Sequence, residues 1–554
     1  MRTRSRPLFP ITLLLLLGML VVFVTACGGS ATTTAAPGTT AGGSTDTTAG
    51  PPAASGELRI ALKGEPDTLD PHATGSRTSY GICRNIFDTL VYRDEVDKSF
   101  KPGLAESWTG SPDGMTYTFK LRQDVVFHDG TPFNAEAVVY NMDRIINPET
   151  QSKTSAELIG PYESSKAVDE YTVEIKFGSP MSPTSLLDAL SQAFLGIVSP
   201  TAAEALGPDF GRQPVGTGQY KFKEWRPQTE LVLERNADHV WTSPVYKNQG
   251  PAKLERVVYK FMPEAATRVA ALEGNEIDLV LEVPVESVER LQGNDKFTLV
   301  DAVAPGFPVV FWLNVESGPL SDLKVRQAIL YNFNRDGLVN GVFRGLYAPA
   351  FGPLSPATWS YNSAIESMYP YDKAKAEALL DEAGWTVGPD GIRAKDGQKL
   401  TLRCFDMAEP RRGEFFQANM KEIGIDVVAR LVTSDELWGV TREANTYEVA
   451  STWYASSDPS ILNLLFDSKN VGTGFAISRM KSPELDEMLA KGMSTLEDDA
   501  RAKVYEEIQT YVMENALLVP LYSETEIDAI ASKFQDYALE RGQYPAIHDL
   551  YIAE

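Results

Sequence analysis

Cysteine and histidine are scarce in this chain of 554 residues, with 3 Cys and 4 His, and positive charge is outweighed: 51 Lys and Arg stand against 75 Asp and Glu, a net of −24. Three cysteines cannot staple so long a chain, which excludes a disulfide scaffold. His72, His128, His239 and His548 lie far apart, with no HExxH and no Cys/His pair at metal-ligand spacing, so neither a metal nor any other cofactor is expected. The acidic balance repels a phosphate backbone and no basic cluster offsets it, which sets nucleic acid aside as a partner. No Gly-Lys dipeptide occurs, which removes the P-loop, and there is no GxSxG nucleophile elbow. The SxxK from Ser321 to Lys324 has no KTG or SDN to accompany it, and Ser321 reads as a helix cap rather than a nucleophile. Asp/Glu pairs abound, but in so acidic a chain they are mostly solvated surface and weak ground for glycoside hydrolysis. No catalytic residue is therefore assigned, and the chain is read as no enzyme.

What is present begins at the amino terminus. Arg2, Arg4 and Arg6 precede a run from Leu8 to Val24 that is apolar apart from Thr12, and this has the anatomy of a signal peptide. The run closes on Val24-Thr25-Ala26-Cys27, which resembles the lipobox of bacterial lipoproteins. That resemblance implies removal of residues 1–26 and lipidation of Cys27, which would anchor the protein to the outer face of the cytoplasmic membrane, periplasmic in a two-membrane cell. Losing three arginines and no acid takes the net charge from −24 to −27. From Gly28 to Gly56 the residues are small or polar, with Asp46 the only charge. Such a segment cannot offset its ordering entropy by burial. Residues 27–56 are therefore read as a tether, with a root-mean-square reach of about 30 Å, a mucin-like or wall-spanning stalk being the alternative of the same composition.

Beyond the tether, strand and helix signals alternate. Leu58 to Leu62 reads as a buried strand, and Tyr117, Phe119 and Leu121, like Val173, Ile175 and Phe177, alternate with polar partners. Asn134 can cap a helix that presents Val138, Val139, Met142, Ile145 and Ile146 on one face. Ser321 leads into a second helix through Phe333, and Asp372 to Ala383 is a third that stops at Gly384. Two segments read helix, glycine, strand: 265–273, Gly274, 277–283; and 415–423, Gly424, 425–432. Both glycines are expected to take the left-handed cap conformation. The layering is α/β with more than one lobe. Cys83 and Cys404 sit in apolar settings and read as buried free thiols. An exported chain without catalytic groups but rich in aromatic clusters such as Phe311-Trp312 and Trp453-Tyr454 suits a small-molecule receptor.

The segments TLDPH (68–72), FDTLV (87–91), LAESW (104–108), FHDGTPFNAE (127–136), PVGTGQYKF (214–222), LSDLKVRQA (320–328) and YDKAKAEALLDEAGW (371–385) resemble the family 5 extracytoplasmic solute-binding proteins of ABC importers, the peptide, dipeptide and nickel receptors. The similarity spans residues 57–554. It implies a periplasmic-binding-protein-like fold of type II, two α/β lobes about a hinge with an extra domain inserted in lobe I. Lobe I is expected at 57–91, 213–305 and 521–554, the inserted domain at 92–212, and lobe II at 306–520. Gly216 and Gly218 are expected at a tight crossing between lobes. The resemblance further implies ligand capture by hinge closure, delivery to ABC permease subunits, and a monomer.

Peptide receptors of the family carry an Asp for the ligand's α-ammonium about four residues before a Pro. Counting back from Pro459 lands here on Ala455, and the nearest carboxylate is Asp458. Three explanations stand open: a one-residue gap, another group receiving the ammonium, or a ligand without one. An oligopeptide is the leading ligand, with oligosaccharides, opines and nickel chelates as alternatives. The cleft is expected to use Thr74, Gly75, Ser76, Trp453, Tyr454 and Asp458. A surface receptor that feeds no permease, or an exported hydrolase, are the readings from other classes.

Overall fold

The computed structural model describes residues 56–152, 154–407, 409–473, 475–540 and 543–553. The leader, Cys27 and the tether up to residue 55 lie outside them. No described helix is long and apolar enough to cross a membrane.

Two large sheets form two lobes. The first has seven strands in the order Phe297–Val303, Thr525–Ala531, Leu279–Val280, Glu57–Leu62, Arg256–Phe261, Glu230–Arg235, Tyr220–Arg226. Leu58, Ile60 and Ala61 are wholly buried because Glu57–Leu62 lies between parallel neighbours near the middle of this sheet. The second has six strands in the order Ala348–Pro349, Leu518–Ser523, Gly306–Leu313, Val449–Ala455, Thr401–Asp406, Asp426–Leu431. Gly306–Leu313 is buried along its whole length. Pro308 has no N–H to give the ladder, and the register slips between Phe307 and Val310 to pass it.

A third sheet belongs to the inserted domain and has four strands in the order Ala105–Gly110, Thr116–Leu121, Thr172–Phe177, Tyr162–Asp169. Tyr117, Phe119, Leu121, Val173, Ile175 and Phe177 all point into its core, as their alternation requires. The helix Ala135–Ile146 joins that core through Val138, Met142 and Ile145, while Ile146 falls outside the apolar stripe and is exposed. Asn134 caps it, its Oδ1 accepting from the Ala137 N–H at 3.0 Å.

Three local expectations change. Ser321 does not cap the second helix. Its hydroxyl donates to the Gly318 carbonyl at 2.8 Å, and Asp322 caps instead by accepting from the Lys324 N–H. Gly274 has φ −78° and stays right-handed, its N–H bonded to the Ala270 carbonyl; Asn275 takes the left-handed turn at φ 58°, which its short side chain tolerates. Gly384 and Gly424 do take positive φ. The third change concerns Gly216 and Gly218, which are not at the junction of the two large sheets. They pack on the chain leaving lobe I for the inserted domain, where a Cβ on Gly216 would lie 2.2 Å from the Ile86 carbonyl oxygen. His128 clamps this crossing, its Nδ1 accepting from the Gly216 N–H and its Nε2 donating to the Gly218 carbonyl. Burial lowers the His128 pKa to about 4, so the ring is neutral as that pattern needs.

The lobes are joined elsewhere. Phe297–Val303 runs into Gly306–Leu313 through Ala304 and Pro305, and Leu518–Ser523 runs into Thr525–Ala531 through Glu524. The two passages are tied where the Ala304 N–H donates to the Glu524 carbonyl at 2.8 Å. Cys83 and Cys404 are free and buried.

Gly216→Ala should cost about 3 kcal/mol, because the clash is with backbone that cannot rotate away. Gly64→Ala, with nothing within 4 Å of its Cβ, should stay within about 0.5 kcal/mol of wild type. Urea unfolding checks both, and equal stabilities would contradict the close approach.

Candidate functional site

Between the lobes lies a cleft of about 710 Å³. That is within the range of roughly 300–1,000 Å³ usual for small-molecule sites. Lobe I contributes Gly75, Tyr80 and Tyr544, the inserted domain Glu157, Ser185 and Asp188, and lobe II the run Tyr454 to Asp458.

The lobe I wall is a loop organised by Asp67. Its Oδ1 accepts from the hydroxyls of Thr74 and Ser79 at 2.8 and 2.6 Å, and Thr74 Oγ1 in turn accepts from the Ser76 N–H. Below it, Asp70 pairs with Arg144, and burial together with the Arg144 charge lowers His72 to a pKa of about 4. His72 is thereby held as a neutral bridge, with Nδ1 facing Arg144 and Nε2 facing the Gly196 carbonyl. The TLDPH segment builds the loop from underneath.

The lobe II wall rests on aromatic rings. Phe307 stacks on Trp312 at 4.8 Å, Trp312 meets Phe466 at 5.1 Å, and Tyr454 packs against Phe307 and Phe475. The indole N–H of buried Trp312 donates to Thr452 Oγ1 at 2.7 Å, which satisfies its one donor. Tyr454 lines the cleft, and its buried hydroxyl oxygen has no hydrogen-bond partner among the described residues.

Of the residues singled out in the sequence, Gly75, Tyr454 and Asp458 are brought together on the cleft. Thr74 is wholly buried and Ser76 caps the helix Arg77–Ile86, so both shape the loop from within. Trp453 is one strand position from Tyr454 and does not line the cavity; its ring sits 6.0 Å from the Arg412 guanidinium carbon. Cys27 lies outside the described residues.

Asp458 faces the cleft but its carboxylate is taken. Arg501 holds it with two bonds of 2.7 and 2.8 Å, and the Ser460 N–H donates to it at 2.9 Å. Burial alone would raise its pKa, but the Arg501 charge and these bonds outweigh burial and hold the carboxyl below the usual range. Ala455 beside it brings no charge. Asp188 is likewise paired, with Arg93 at 3.0 Å. Among the described residues two hydrogen bonds reach across the cleft from the inserted domain to lobe II: Ser185 Oγ to Asp458 at 3.2 Å and Thr184 Oγ1 to Asp498 at 2.5 Å. Sequence reasoning missed Tyr80, Glu157, Phe475 and Tyr544, which carry no local motif.

Residues 99–473 match the bacterial extracellular solute-binding proteins, family 5 (middle region). The chain belongs to that family. It is 30% identical over 487 residues to the glutathione-binding protein GsiB of Salmonella typhi, covering 86% of this chain and 90% of that one. Among solved structures, NikA of Brucella suis in complex with Fe(III)-EDTA superposes with a TM-score of 0.80 at 25% identity, over 90% of this chain and all of NikA. The oligopeptide-binding protein AppA of Bacillus subtilis, in complex with a nonapeptide, gives 0.72 at 25% identity, over 91% and 100%. The two-lobed fold and the solute-binding role expected from the sequence are thus those of its family.

Replacing Arg501 with Met should cost about 3–5 kcal/mol at pH 7, because Asp458 is left buried and unpaired. Since the folded carboxyl titrates below the unfolded value of roughly 3.9, the pair's contribution is present at neutral pH and is lost as the pH falls through the folded value. The gap between wild type and variant should therefore narrow below about pH 4. Denaturant melts across pH 3–7 check this, and a pH-independent gap would count against it.

Proposed function

We propose that this chain is the lipid-anchored receptor of an ABC importer, and that it captures an oligopeptide in the interlobe cleft and hands it to the permease without chemistry. One observation carries the reading: a ligand-sized cavity is walled by both lobes and the inserted domain, with only two backbone passages to flex. Ligand contacts made on both walls at once favour the closed state over the open one. Glutathione, bound by GsiB, and the nonapeptide of AppA are both peptides, which supports that ligand class. Asp188 and Asp458 are neutralised by arginines, which suits binding better than acid–base work. The lobe boundaries given above and a monomeric state complete the proposal. A chelated metal is the second reading, favoured by the Fe(III)-EDTA complex of NikA.

A thermal-shift comparison of reduced glutathione, tri- and pentapeptides, Fe(III)-EDTA and maltotriose tests the ligand class. Saturating peptide at about 100 times its Kd stabilises by about 2.7 kcal/mol and raises the Tm by several degrees. A shift with Fe(III)-EDTA or maltotriose and none with peptides would replace the peptide reading. Anchoring is tested separately. Cys27→Ser should move the protein from the membrane fraction to the soluble exported fraction, and a variant that stayed membrane-bound would refute lipidation at that residue.

A further inference from the structure

Three carboxylates line the cleft: Glu157, Asp188 and Asp458. The last two are spent on Arg93 and Arg501. Glu157 has neither a cation nor a hydrogen-bond donor on its carboxylate among the described residues. Among the described residues the one lysine on the cleft, Lys469, pairs with Asp467 at 2.7 Å. Among the described residues the cavity therefore holds one uncompensated negative charge, and the backbone that carries it is tied down. Ser155, wholly buried, donates to the Phe194 carbonyl at 2.9 Å and lies 3.2 Å from that of Pro71, which ties the short helix Thr154–Leu158 to the inserted domain and to the lobe I loop. Leu158 packs into both of those cores.

Tyr454 lines the same cavity from lobe II, and its hydroxyl has no partner among the described residues. Burial, and then the charge of Glu157, push that phenol's pKa up, which places the two side chains within electrostatic reach and keeps the hydroxyl protonated. Glu157 in turn is open to the solvent of the cleft yet crowded enough that desolvation raises its carboxyl above the ordinary value. A cation brought beside it relieves that penalty. An ordinary solvated surface glutamate would show no such shift and would not sit in a cavity wall.

We propose that Glu157 is the specificity-determining anion of the cleft, that it receives the ammonium group of the bound solute, and that Tyr454 supplies a hydrogen bond from the opposite wall. This rests on the reading of the cleft as a peptide site, and it assigns the amino end of the peptide to the inserted domain.

The test uses the whole protein and an equimolar mixture of tri- to pentapeptides, half of them N-acetylated, with retained species identified by mass spectrometry after gel filtration. Titration calorimetry on a retained peptide then compares wild type, Glu157→Gln and Tyr454→Phe. Free-amine peptides should be retained and acetylated ones lost. Glu157→Gln should weaken the free-amine peptide on the order of 10- to 100-fold, and Tyr454→Phe by a few fold. Unliganded Tm values should match wild type, since neither change removes a packed group or an existing bond. Retention of free and acetylated peptides alike, or unchanged affinity in Glu157→Gln, overturns the role of Glu157 while leaving the peptide reading intact. Retention of neither set overturns the peptide reading and this proposal with it.

Discussion

The two large sheets are joined by two short stretches of backbone, Ala304-Pro305 and Glu524, bonded to each other by the Ala304 N–H. Everything the cleft can do depends on that constraint. Each passage is continuous with a strand on both sides, so the connection resists twisting and yields in one direction, about an axis through the pair. Gly306 follows at φ 103°, where a Cβ would lie 2.3 Å from the Ser456 nitrogen. Only glycine lets the hinge strand run that close to the segment carrying Tyr454 and Asp458. The geometry of the passage and the position of the ligand wall are thus one requirement met by one residue.

Beyond the hinge, the wall positions are set by buried polar links. Asp458 with Arg501 fixes the lobe II loop, Asp70 with Arg144 and neutral His72 fixes the lobe I loop, and Asp67 gathers Thr74, Ser76 and Ser79 above it. Pairs of this kind add little net stability over apolar packing, but they are costly to break. They specify one arrangement of loops that would otherwise have many. The strength of the arrangement explains why family-defining segments surround the cleft without lining most of it.

The sheets were legible in the sequence because burial on one face or two leaves a period that can be counted, as at Tyr117, Phe119 and Leu121 or in the apolar run of Leu58 to Leu62. Helix ends were legible less often, since Asp322 and Asn275 compete on nearly equal terms with Ser321 and Gly274 for the same capping work. The lobes and the inserted domain came from family resemblance, as did the loop at Gly75 and the segment at Tyr454. Glu157 was one carboxylate among 75 acidic residues. What distinguishes it is its place in the cleft wall without a partner among the described residues, and that is a property of three-dimensional neighbours which no spacing encodes. Trp453 illustrates the converse: its residue type suggested a cleft, but the strand's alternation gave the cleft to Tyr454.

The net charge of −24 does not select cationic solutes by itself. Screening prevents it. At physiological ionic strength the Debye length is about 8 Å, so charge spread over the outer surface is largely invisible to a ligand inside the cavity. Most of the acids that line or underlie the cleft are in any case cancelled at contact distance by arginine. Selection then falls to whichever charge is uncancelled, partly desolvated and within reach of the ligand. A carboxylate in that position gains more from an ammonium than a fully solvated one does, because part of its desolvation has already been incurred on folding. The ligand's charge is therefore read by the inserted domain, while lobe II offers aromatic surface and hydrogen bonds, and closure brings the two kinds of recognition onto one molecule.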